Sequence, residues 1–257
     1  MMKFTQIRNA TLKLTFAGKT FLIDPMLAEK GRYPGFEGTL NSHLRNPTVG
    51  LPLSMDEILD VDAVIVTHTH PDHWDEVAVQ SIPKDKLIFV QHEADAHVLK
   101  EQGFMNLQIL TENTEFEGMA LHKTPGQHGS DVTLSMARDV LGEVCGVVFK
   151  HDGEKTLYLA GDTVWNAYVE NSLKQYQPEV VILNAGDAQI PQLGSIIMDK
   201  EDVYQVHKAA PEATLIASHM ESVNHAALSR VELRQFLVEK NITNSVLVPE
   251  DGESYSF

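Results

Sequence analysis

The sequence contains little cysteine, no long apolar run and few basic residues. Its single cysteine, Cys145, excludes an internal disulfide, so nothing indicates an oxidising compartment. No apolar run approaches the roughly 20 residues that cross a bilayer. The segment from Met1 to Ala10 also lacks the apolar region of a secretory signal. We therefore expect a cytoplasmic protein without a membrane partner.

Acidic residues outnumber basic ones. The chain has 20 Lys and Arg against 36 Asp and Glu, which gives a formal net charge of −16. A nucleic-acid backbone is normally bound by clustered Lys and Arg, whose contacts release counterions. The composition therefore argues against a large nucleic acid as a partner.

The chain has neither an internal repeat nor a low-complexity linker. Because an α/β chain of 257 residues can close as one unit, we predict a single domain over 1–257. Short β-type runs such as Ala63 to Val66 and Val180 to Leu183 alternate with helical patterns along the whole chain. This order predicts the α/β class, with two sheets covered by helices.

Local signals predict several elements and one irregular segment. Capping boxes begin helices at Ser54 and Ser229. Further helical patterns occupy 74–81, 93–101 and 165–176, whereas 107–150 contains several β-type runs. The segment from Met26 to Leu53 is rich in Gly, Pro, Asn and Arg without periodicity. Such a long irregular segment is typical of a functional or mobile loop, and we expect it to cover the site as a lid.

Histidine is abundant, with 12 residues, and one short segment combines several potential metal ligands. These residues directly follow the strand predicted over Ala63 to Val66, and they are His68, His70, Asp72 and His73. Alternate positions of an extended chain point to one side, so His68 and His70 can bind one cation. Asp72 and His73 lie just beyond and can bind a second cation. Three histidines and a carboxylate at this spacing favour a metal site over a polar surface loop.

Further ligand-type residues follow other predicted strands. His128, Asp162 and His219 are each the first strong ligand after a predicted buried strand. One loop cannot fill two coordination shells, so the remaining ligands must come from elsewhere in the chain. Strand ends that open onto one rim of a sandwich converge on a single site. We therefore expect all three side chains at the same metal centre.

The ligand pattern resembles that of a known family. The string His68-x-His70-x-Asp72-His73, followed in order by His128, Asp162 and His219, is similar to the metallo-β-lactamase-fold hydrolases over nearly the whole chain. The segments Leu22 to Pro25 and Ser218 to His219 are most similar to the subgroup that includes ascorbate-6-phosphate lactonase. The resemblance implies a four-layer αββα sandwich. It also implies one metal ion bound by His68, His70 and His128, a second bound by Asp72, His73 and His219, and Asp162 as the bridge between them.

Two adjacent divalent cations can lower the pKa of a shared water and stabilise developing charge, so hydrolysis is the predicted reaction. The expected cofactors are two zinc or manganese ions, with iron as a further possibility. Asp72 is a predicted catalytic residue that orients the nucleophile or accepts its proton, and both roles stay open. We expect a small ester, lactone or phosphoester as substrate, an anionic one included, because the metal charge offsets the acidic composition locally.

Other functions and weaker site residues complete the hypotheses. The alternative functions are a nucleotide phosphodiesterase, a mononuclear iron oxygenase and a metal-binding module without catalysis. His225 is expected to contact the substrate or donate a proton, with a structural role equally open. Asp24 is a candidate acceptor for a ligand histidine, or else a cap of the following turn. The candidate substrate-binding residues are Arg45, Asn46, Asn184 and Asp187, of which Arg45 best suits an anionic group. The oligomeric state has no clear sequence signal.

Overall fold

The computed structural model describes residues 1–257 and contains two large β-sheets and a short hairpin. The strands of the first sheet are β1 (Lys3–Arg8), β2 (Thr11–Phe16), β3 (Lys19–Ile23), β4 (Ala63–Val66), β5 (Leu87–Val90), β6 (Leu107–Ile109) and β16 (Ser254–Ser256). Those of the second are β7 (Thr114–Phe116), β8 (Met119–Pro125), β9 (Cys145–Lys150), β10 (Leu157–Leu159), β11 (Val180–Asn184), β14 (Thr214–Ser218) and β15 (Val246–Leu247). The hairpin consists of β12 (Gln189–Ile190) and β13 (Gly194–Ser195).

Both sheets are mixed, with one antiparallel half and one parallel half. The first sheet has the order β16-β1-β2-β3-β4-β5-β6, and its strands from β3 to β6 are parallel. The second has the order β15-β14-β11-β10-β9-β8-β7, and β10, β11, β14 and β15 are parallel. Because β9 is antiparallel to both β8 and β10, β8 runs in the same direction as β10. The strands that precede the predicted ligands therefore end on a common edge within each sheet.

Seven helices accompany the sheets. They are α1 (Met55–Leu59), α2 (Glu76–Ser81), α3 (Glu93–Glu101), α4 (Asp131–Leu141), α5 (Ala167–Tyr176), α6 (Lys200–Ala209) and α7 (Arg230–Glu239). The capping boxes predicted at Ser54 and Ser229 begin α1 and α7, with both reciprocal hydrogen bonds present. None of the helices combines the length and the apolar character needed to cross a membrane.

Alternating side chains divide the core into layers. On β4, Ile65 faces the apolar layer between the two sheets, whereas Val64 faces the cluster under α1, α2 and α3. On β11, Ile182 faces the layer between the sheets and Val181 faces α5, α6 and α7. The result is the four-layer αββα sandwich that the family resemblance implied, and this prediction is confirmed.

Some predicted elements need correction. Within 107–150, α4 occupies Asp131–Leu141 where only β-type runs were expected. Its β-branched residues raise strand propensity, but Ser130 caps the helix and the buried Thr133 bonds the carbonyl of Leu193. The helices expected from 74 and 165 begin slightly later, after the N-caps Asp75 and Asn166. For α4, the N-cap and the tertiary contact of Thr133 thus outweighed the strand propensity of its β-branched residues.

The irregular segment predicted from Met26 to Leu53 contains no helix or strand in the structure. A fully buried arginine, Arg8, ties its two ends together. The guanidinium donates to the carbonyls of Met26 and Ala28 at the start and to that of Val49 near the end. Because buried backbone carbonyls need partners, Arg8 fixes the base of the segment beside the ends of β1 and β3.

Candidate metal centre

The ligand-type residues of the motif occupy the loop that directly follows β4. The backbone N–H of His73 donates to the carbonyl of His70, which turns the chain after this residue. Asp24, at the end of the neighbouring parallel strand β3, accepts hydrogen bonds from both the N–H and the hydroxyl of Thr67, each at 2.7 Å. The buried carboxylate of Asp24 therefore fixes the start of the motif loop from behind.

Three further ligand-type residues reach the same place from the second sheet. His128 follows β8, Asp162 follows β10 and His219 follows β14, and all three side chains are buried. Because these strands run in the same direction, their carboxyl ends share one edge of the sheet. This edge faces the end of β4, so the two sheets contribute ligands to one rim of the sandwich.

The ligand-type atoms form overlapping groups within 4.8 Å, and these groups are His68 with His70 and His128, His68 with His73 and Asp162, and Asp72 with His73 and His219. The carboxylate of Asp162 lies between them. Its Oδ2 is 3.7 Å from Nε2 of His128 and 3.1 Å from Nε2 of His73, while its Oδ1 is 3.8 Å from Nε2 of His219. Asp162 is therefore in reach of both outer groups.

Hydrogen bonds on the outer ring nitrogens orient the imidazoles. Nδ1 of His128 donates to the carbonyl of Ile196 at 2.7 Å, and Nε2 of His70 donates to that of Val140 at 3.0 Å. The opposite nitrogens, Nε2 of His128 and Nδ1 of His70, are left free for a metal ion. Such outer contacts select the tautomer of a metal-binding histidine.

Asp24 controls two other imidazoles in the same way. Its Oδ2 accepts from Nδ1 of His73 at 2.9 Å. The hydroxyl of Thr67 donates to Asp24, so it can only accept from Nδ1 of His68, 3.2 Å away. Both histidines therefore present Nε2 to the centre of the site.

Burial and mutual charge set the protonation of the site. Burial lowers the pKa of His68 well below its usual value and that of His128 to about 4, so both imidazoles are neutral. Burial opposes the ionisation of Asp162 and Asp72, yet the neighbouring His73 holds the pKa of each carboxyl well below its usual range. Neutral imidazoles and ionised carboxylates are the forms that bind metal ions.

His73 is the exception among the imidazoles. Burial disfavours its protonation, but the nearby Asp162, Asp24 and Asp72 raise its pKa well above the usual value. The three carboxylates thus favour positive charge at this position, which suits a cation. In addition, Nε2 of His68 is buried without a hydrogen-bond partner, as is expected of a metal ligand. The nitrogen and oxygen donors present suit divalent zinc, manganese or iron.

A cavity of about 250 Å³ opens onto these residues. Its lining combines ligand-type residues, apolar side chains and one exposed carboxylate. It consists of Phe36, Glu37, Thr39, His70, Pro71, Asp72, His128, Val140, Leu141, Asp162, Ile190, Ile196 and His225. The predicted residue His225 is 6% exposed and contacts the ring of Phe36 edge-on, with 5.1 Å between centroids. Burial lowers the pKa of His225 to about 4, so its imidazole is neutral.

Two of the candidate substrate-binding residues lie behind the cavity wall. Asn184 donates from Nδ2 to Oδ1 of Asp162 at 2.7 Å, so it supports a ligand-type carboxylate. Asp187 accepts from the side chains of Ser195 and Gln189. Neither residue lines the cavity, because the chain turns between β11 and the hairpin and directs both side chains into supporting hydrogen bonds.

The two candidates from the irregular segment also lie away from the cavity lining. The exposed Arg45 donates from Nε to the carbonyl of Gly31 and from Nη2 to that of Arg32. Asn46 is fully buried and pairs with Asn224. Arg45 therefore stabilises its own loop, which differs from the expected contact with an anionic substrate.

Two residues of the site were not predicted from the sequence. They are Thr67, which contacts both Asp24 and His68, and Asp95, which contacts Thr69. Thr69 lies between the ligand-type residues His68 and His70, and its hydroxyl donates to Oδ1 of the buried Asp95 on α3. Thr67 had a signal, since it is a polar residue placed directly after an apolar strand. Asp95 had none, because it meets the motif loop only through the packing of α3 beside it.

Comparison with known proteins identifies the family of the chain. Residues 19–220 match the family model described as the Beta-lactamase superfamily domain. The UPF0173 protein YddR of Bacillus subtilis is 55% identical over 257 residues, which are 100% of both chains.

Two solved structures superpose on the chain with a TM-score of 0.98. An isothiocyanate hydrolase from Delia radicum gut bacteria is 52% identical, and the match covers 100% of this chain and 99% of that one. A possible metal-dependent hydrolase from Veillonella parvula is 49% identical, with 100% of both chains covered.

These findings agree with the sequence-based prediction at the level of the family. Other UPF0173 proteins carry the name metal-dependent hydrolase, and the prediction of a metal-dependent hydrolase is confirmed at that level. The narrower likeness to ascorbate-6-phosphate lactonase is not supported by the matched names. The chain belongs to the beta-lactamase superfamily and, within it, to the UPF0173 family of metal-dependent hydrolases.

Proposed function

We propose that the chain is a dinuclear metal-dependent hydrolase that acts on a small, uncharged substrate with an apolar substituent. The observation that carries this proposal is that the ligand groups open onto one cavity. His70, His128 and Asp162 are members of these groups, and the same three residues line the cavity. The proposed cofactors are two zinc or manganese ions, with iron as the alternative.

The side chains would have distinct tasks in this reaction. The proposed ligands are His68, His70 and His128 for one ion, Asp72, His73 and His219 for the other, and Asp162 for both. When bound, the ions lower the pKa of a shared water and stabilise negative charge that develops on the substrate. Asp72 lines the cavity and orients this water or accepts its proton. His225, neutral and at the cavity wall, donates a hydrogen bond to the leaving group.

The cavity lining supports an uncharged substrate over an anionic one. Phe36, the end of α4 with Val140 and Leu141, and the β12–β13 region with Ile190 and Ile196 contribute its apolar side chains. Its one charged side chain outside the ligand set is the carboxylate of Glu37. A carboxylate at the entrance repels anions, and an apolar wall favours a substituent that leaves water on binding. Among the predicted substrates, these features favour a small ester or lactone over a phosphoester.

Isothiocyanates are the first substrate class to test, because a relative that is 52% identical over the full length of this chain is an isothiocyanate hydrolase. In this reaction, the oxygen of water attacks the central carbon of R–N=C=S and a proton moves to nitrogen. Cleavage of the C–N bond then releases the amine and carbonyl sulfide, and the second proton ends on the amine nitrogen. The substituent R is uncharged and commonly apolar, as the cavity requires.

The test is turnover of benzyl isothiocyanate, 4-nitrophenyl acetate, a γ-lactone and bis(4-nitrophenyl) phosphate by the metal-free protein and after loading with zinc or manganese. We expect metal-dependent hydrolysis of the isothiocyanate, and slower or no hydrolysis of the phosphodiester. His70→Ala and Asp162→Ala should lose metal and activity together, whereas His225→Ala should keep its metal content while turnover falls. His97→Ala, an exposed position on α3, is the matched control.

Each outcome has a clear reading. Full metal content in both His70→Ala and Asp162→Ala would contradict the ligand assignment. Metal binding without turnover of any substrate would support a non-catalytic metal-binding module. Preferred hydrolysis of the phosphodiester would support the phosphodiesterase alternative and contradict the role of the apolar cavity.

A further inference from the structure

One wall of the cavity comes from the irregular segment 26–53. Phe36, Glu37 and Thr39 of this segment line the cavity, and the ring of Phe36 lies edge-on against His225, which also lines it. Because Phe36 contacts His225, the position of the Phe36 ring limits the space that the cavity offers to a substituent. The segment contains no helix or strand, so other contacts must hold Phe36 in place.

Two buried asparagines supply these contacts. Asn46 and Asn224 are 0% and 2% exposed, and they are far apart in the chain. Nδ2 of Asn46 donates to Oδ1 of Asn224, and the backbone N–H of Asn224 donates to Oδ1 of Asn46, both at 2.8 Å. The pair is therefore closed by two reciprocal hydrogen bonds.

The side chain of Asn224 also holds the wall directly. Its Oδ1 accepts from the backbone N–H of Phe36 at 2.9 Å, while its Nδ2 donates to Oγ1 of Thr39 at 2.9 Å and to the carbonyl of Leu40 at 2.6 Å. Every hydrogen-bonding atom of this buried amide has a partner, as a uniquely specified polar network requires. One side chain thus fixes three positions of the wall.

The same residue is linked to His225 through the chain. Asn224 directly precedes His225, whose carbonyl accepts from the N–H of Gln189 on β12. The N–H of Leu40 donates in turn to the carbonyl of Gln189. The segment that carries Phe36 and the residue His225 are therefore connected both through the asparagine pair and through the hairpin.

We propose that the Asn46–Asn224 pair is a positioning device that holds Phe36 against His225 and so limits the size of the substituent that the site accepts. This inference rests on the proposed function for the identity of the substrate. Neither asparagine lines the cavity, so both act through the residues that they hold.

The test uses Asn46→Asp, which preserves the volume of the side chain. The acceptor for the N–H of Asn224 remains, but a carboxylate oxygen now meets Oδ1 of Asn224 and the pair separates. We expect KM for benzyl and 2-phenylethyl isothiocyanate to change by about tenfold, which corresponds to about 1.4 kcal/mol. KM for methyl isothiocyanate, kcat and metal content should stay within about twofold of the wild-type values, because a positioning role alters binding of the large group alone.

A second readout does not depend on turnover. Hydrogen exchange of the Phe36 amide should accelerate in Asn46→Asp, since this N–H is bonded to Asn224. Ser42→Ala is the matched control, because Ser42 lies in the same segment, is exposed and contributes nothing to the cavity lining. If Asn46→Asp fails to fold, Asn46→Ser, which also leaves every residue of the cavity lining unchanged, takes its place.

The outcomes separate this inference from the proposed function. Unchanged Phe36 exchange, or equal changes of KM for small and large substituents, would overturn the positioning role. If the wild-type protein hydrolyses no isothiocyanate, the KM series is repeated with 4-nitrophenyl acetate and hexanoate. Failure of both series would overturn the proposed function together with size selection, while Phe36 exchange would still decide whether the pair holds the wall.

Discussion

Replacing Asp24 by Asn should weaken metal binding although Asp24 is outside the proposed ligand set. The carboxylate is 1% exposed and lies behind the motif loop. Its Oδ1 accepts from the N–H of Thr67, while its Oδ2 accepts from the hydroxyl of Thr67 and from Nδ1 of His73. Asn keeps the shape of the side chain, but its amide nitrogen replaces one oxygen and carries no charge.

The size of the effect follows from these contacts. If the Asn oxygen keeps the backbone N–H, its NH₂ group meets two donors, and at least one charge-assisted hydrogen bond of about 1.5 to 3 kcal/mol is lost. The hydroxyl of Thr67 then loses its acceptor, so the tautomer of His68 is no longer fixed either. Changes of this kind lower metal affinity by about 10- to 100-fold, which is about 1.4 to 2.7 kcal/mol.

The assay is a competition titration of zinc between the protein and a chromophoric chelator. Asp62→Asn is the control, because Asp62 is an exposed carboxylate that also accepts a backbone N–H, from Thr20, yet lies away from the metal centre. An Asp24→Asn variant with wild-type affinity for zinc would refute the reasoning, since the orientation of His73 and His68 would then be set without Asp24.

Three further substitutions test other parts of the structure. Gly186→Ala should lower the free energy of unfolding by about 1 to 3 kcal/mol and reduce metal content, because a Cβ there would collide with the carbonyl of His219. Asp202→Asn should raise the free energy of unfolding by on the order of 1 kcal/mol at high pH, allowing for the partial exposure of Asp202. Arg45→Ala should leave KM for charged and neutral substrates unchanged, because its guanidinium bonds its own loop.

The sign of the Asp202 effect follows from its pKa. Burial raises this pKa to about 6, so the folded state binds the proton more tightly than the unfolded state. The favourable contribution is present below the ordinary pKa of an aspartate and is lost as pH rises through about 6. The gain from Asn should therefore appear in chemical unfolding above that pH and vanish in acid. A gain in the free energy of unfolding that is independent of pH would contradict burial of the Asp202 carboxylate as its cause. For the other variant, Gly186→Ala, a normal metal content would contradict the expected displacement of His219.

The proposed ligands could be located from the sequence because each follows a recognisable apolar strand. Parallel strands end on a common edge, so residues such as Asp162 and His219 could be expected together before the path of the loops was known. The carbonyls of Ile196 and Val140, which orient two of the imidazoles, have no sequence signal, because every residue carries a carbonyl. The partnership of Asn46 with Asn224 was equally hidden, since it depends on how two distant loops meet.

The expected contact of Arg45 with an anionic substrate illustrates a different limit of sequence reasoning. Arg45 suits a carboxylate or phosphate by its chemistry, and only the path of the loop shows that its guanidinium bonds the carbonyls of Gly31 and Arg32. The cavity entrance carries Glu37 instead. The net charge thus describes the chain as a whole, whereas selectivity for the charge of a substrate depends on the few charged side chains that line the cavity.

The β12–β13 hairpin explains why metal binding and substrate selection should be coupled in this protein. The carbonyl of Ile196, directly after the hairpin, orients His128, and the carbonyl of Leu193 within it accepts from Thr133 of α4. Gln189 of the same hairpin bonds the backbone of both Leu40 and His225. A displacement of the hairpin therefore moves a proposed ligand and the cavity walls together. For this reason, a substitution that changes which substituent size the cavity accepts should leave metal binding intact only where the substituted residue lies outside the hairpin, as Asn46 does.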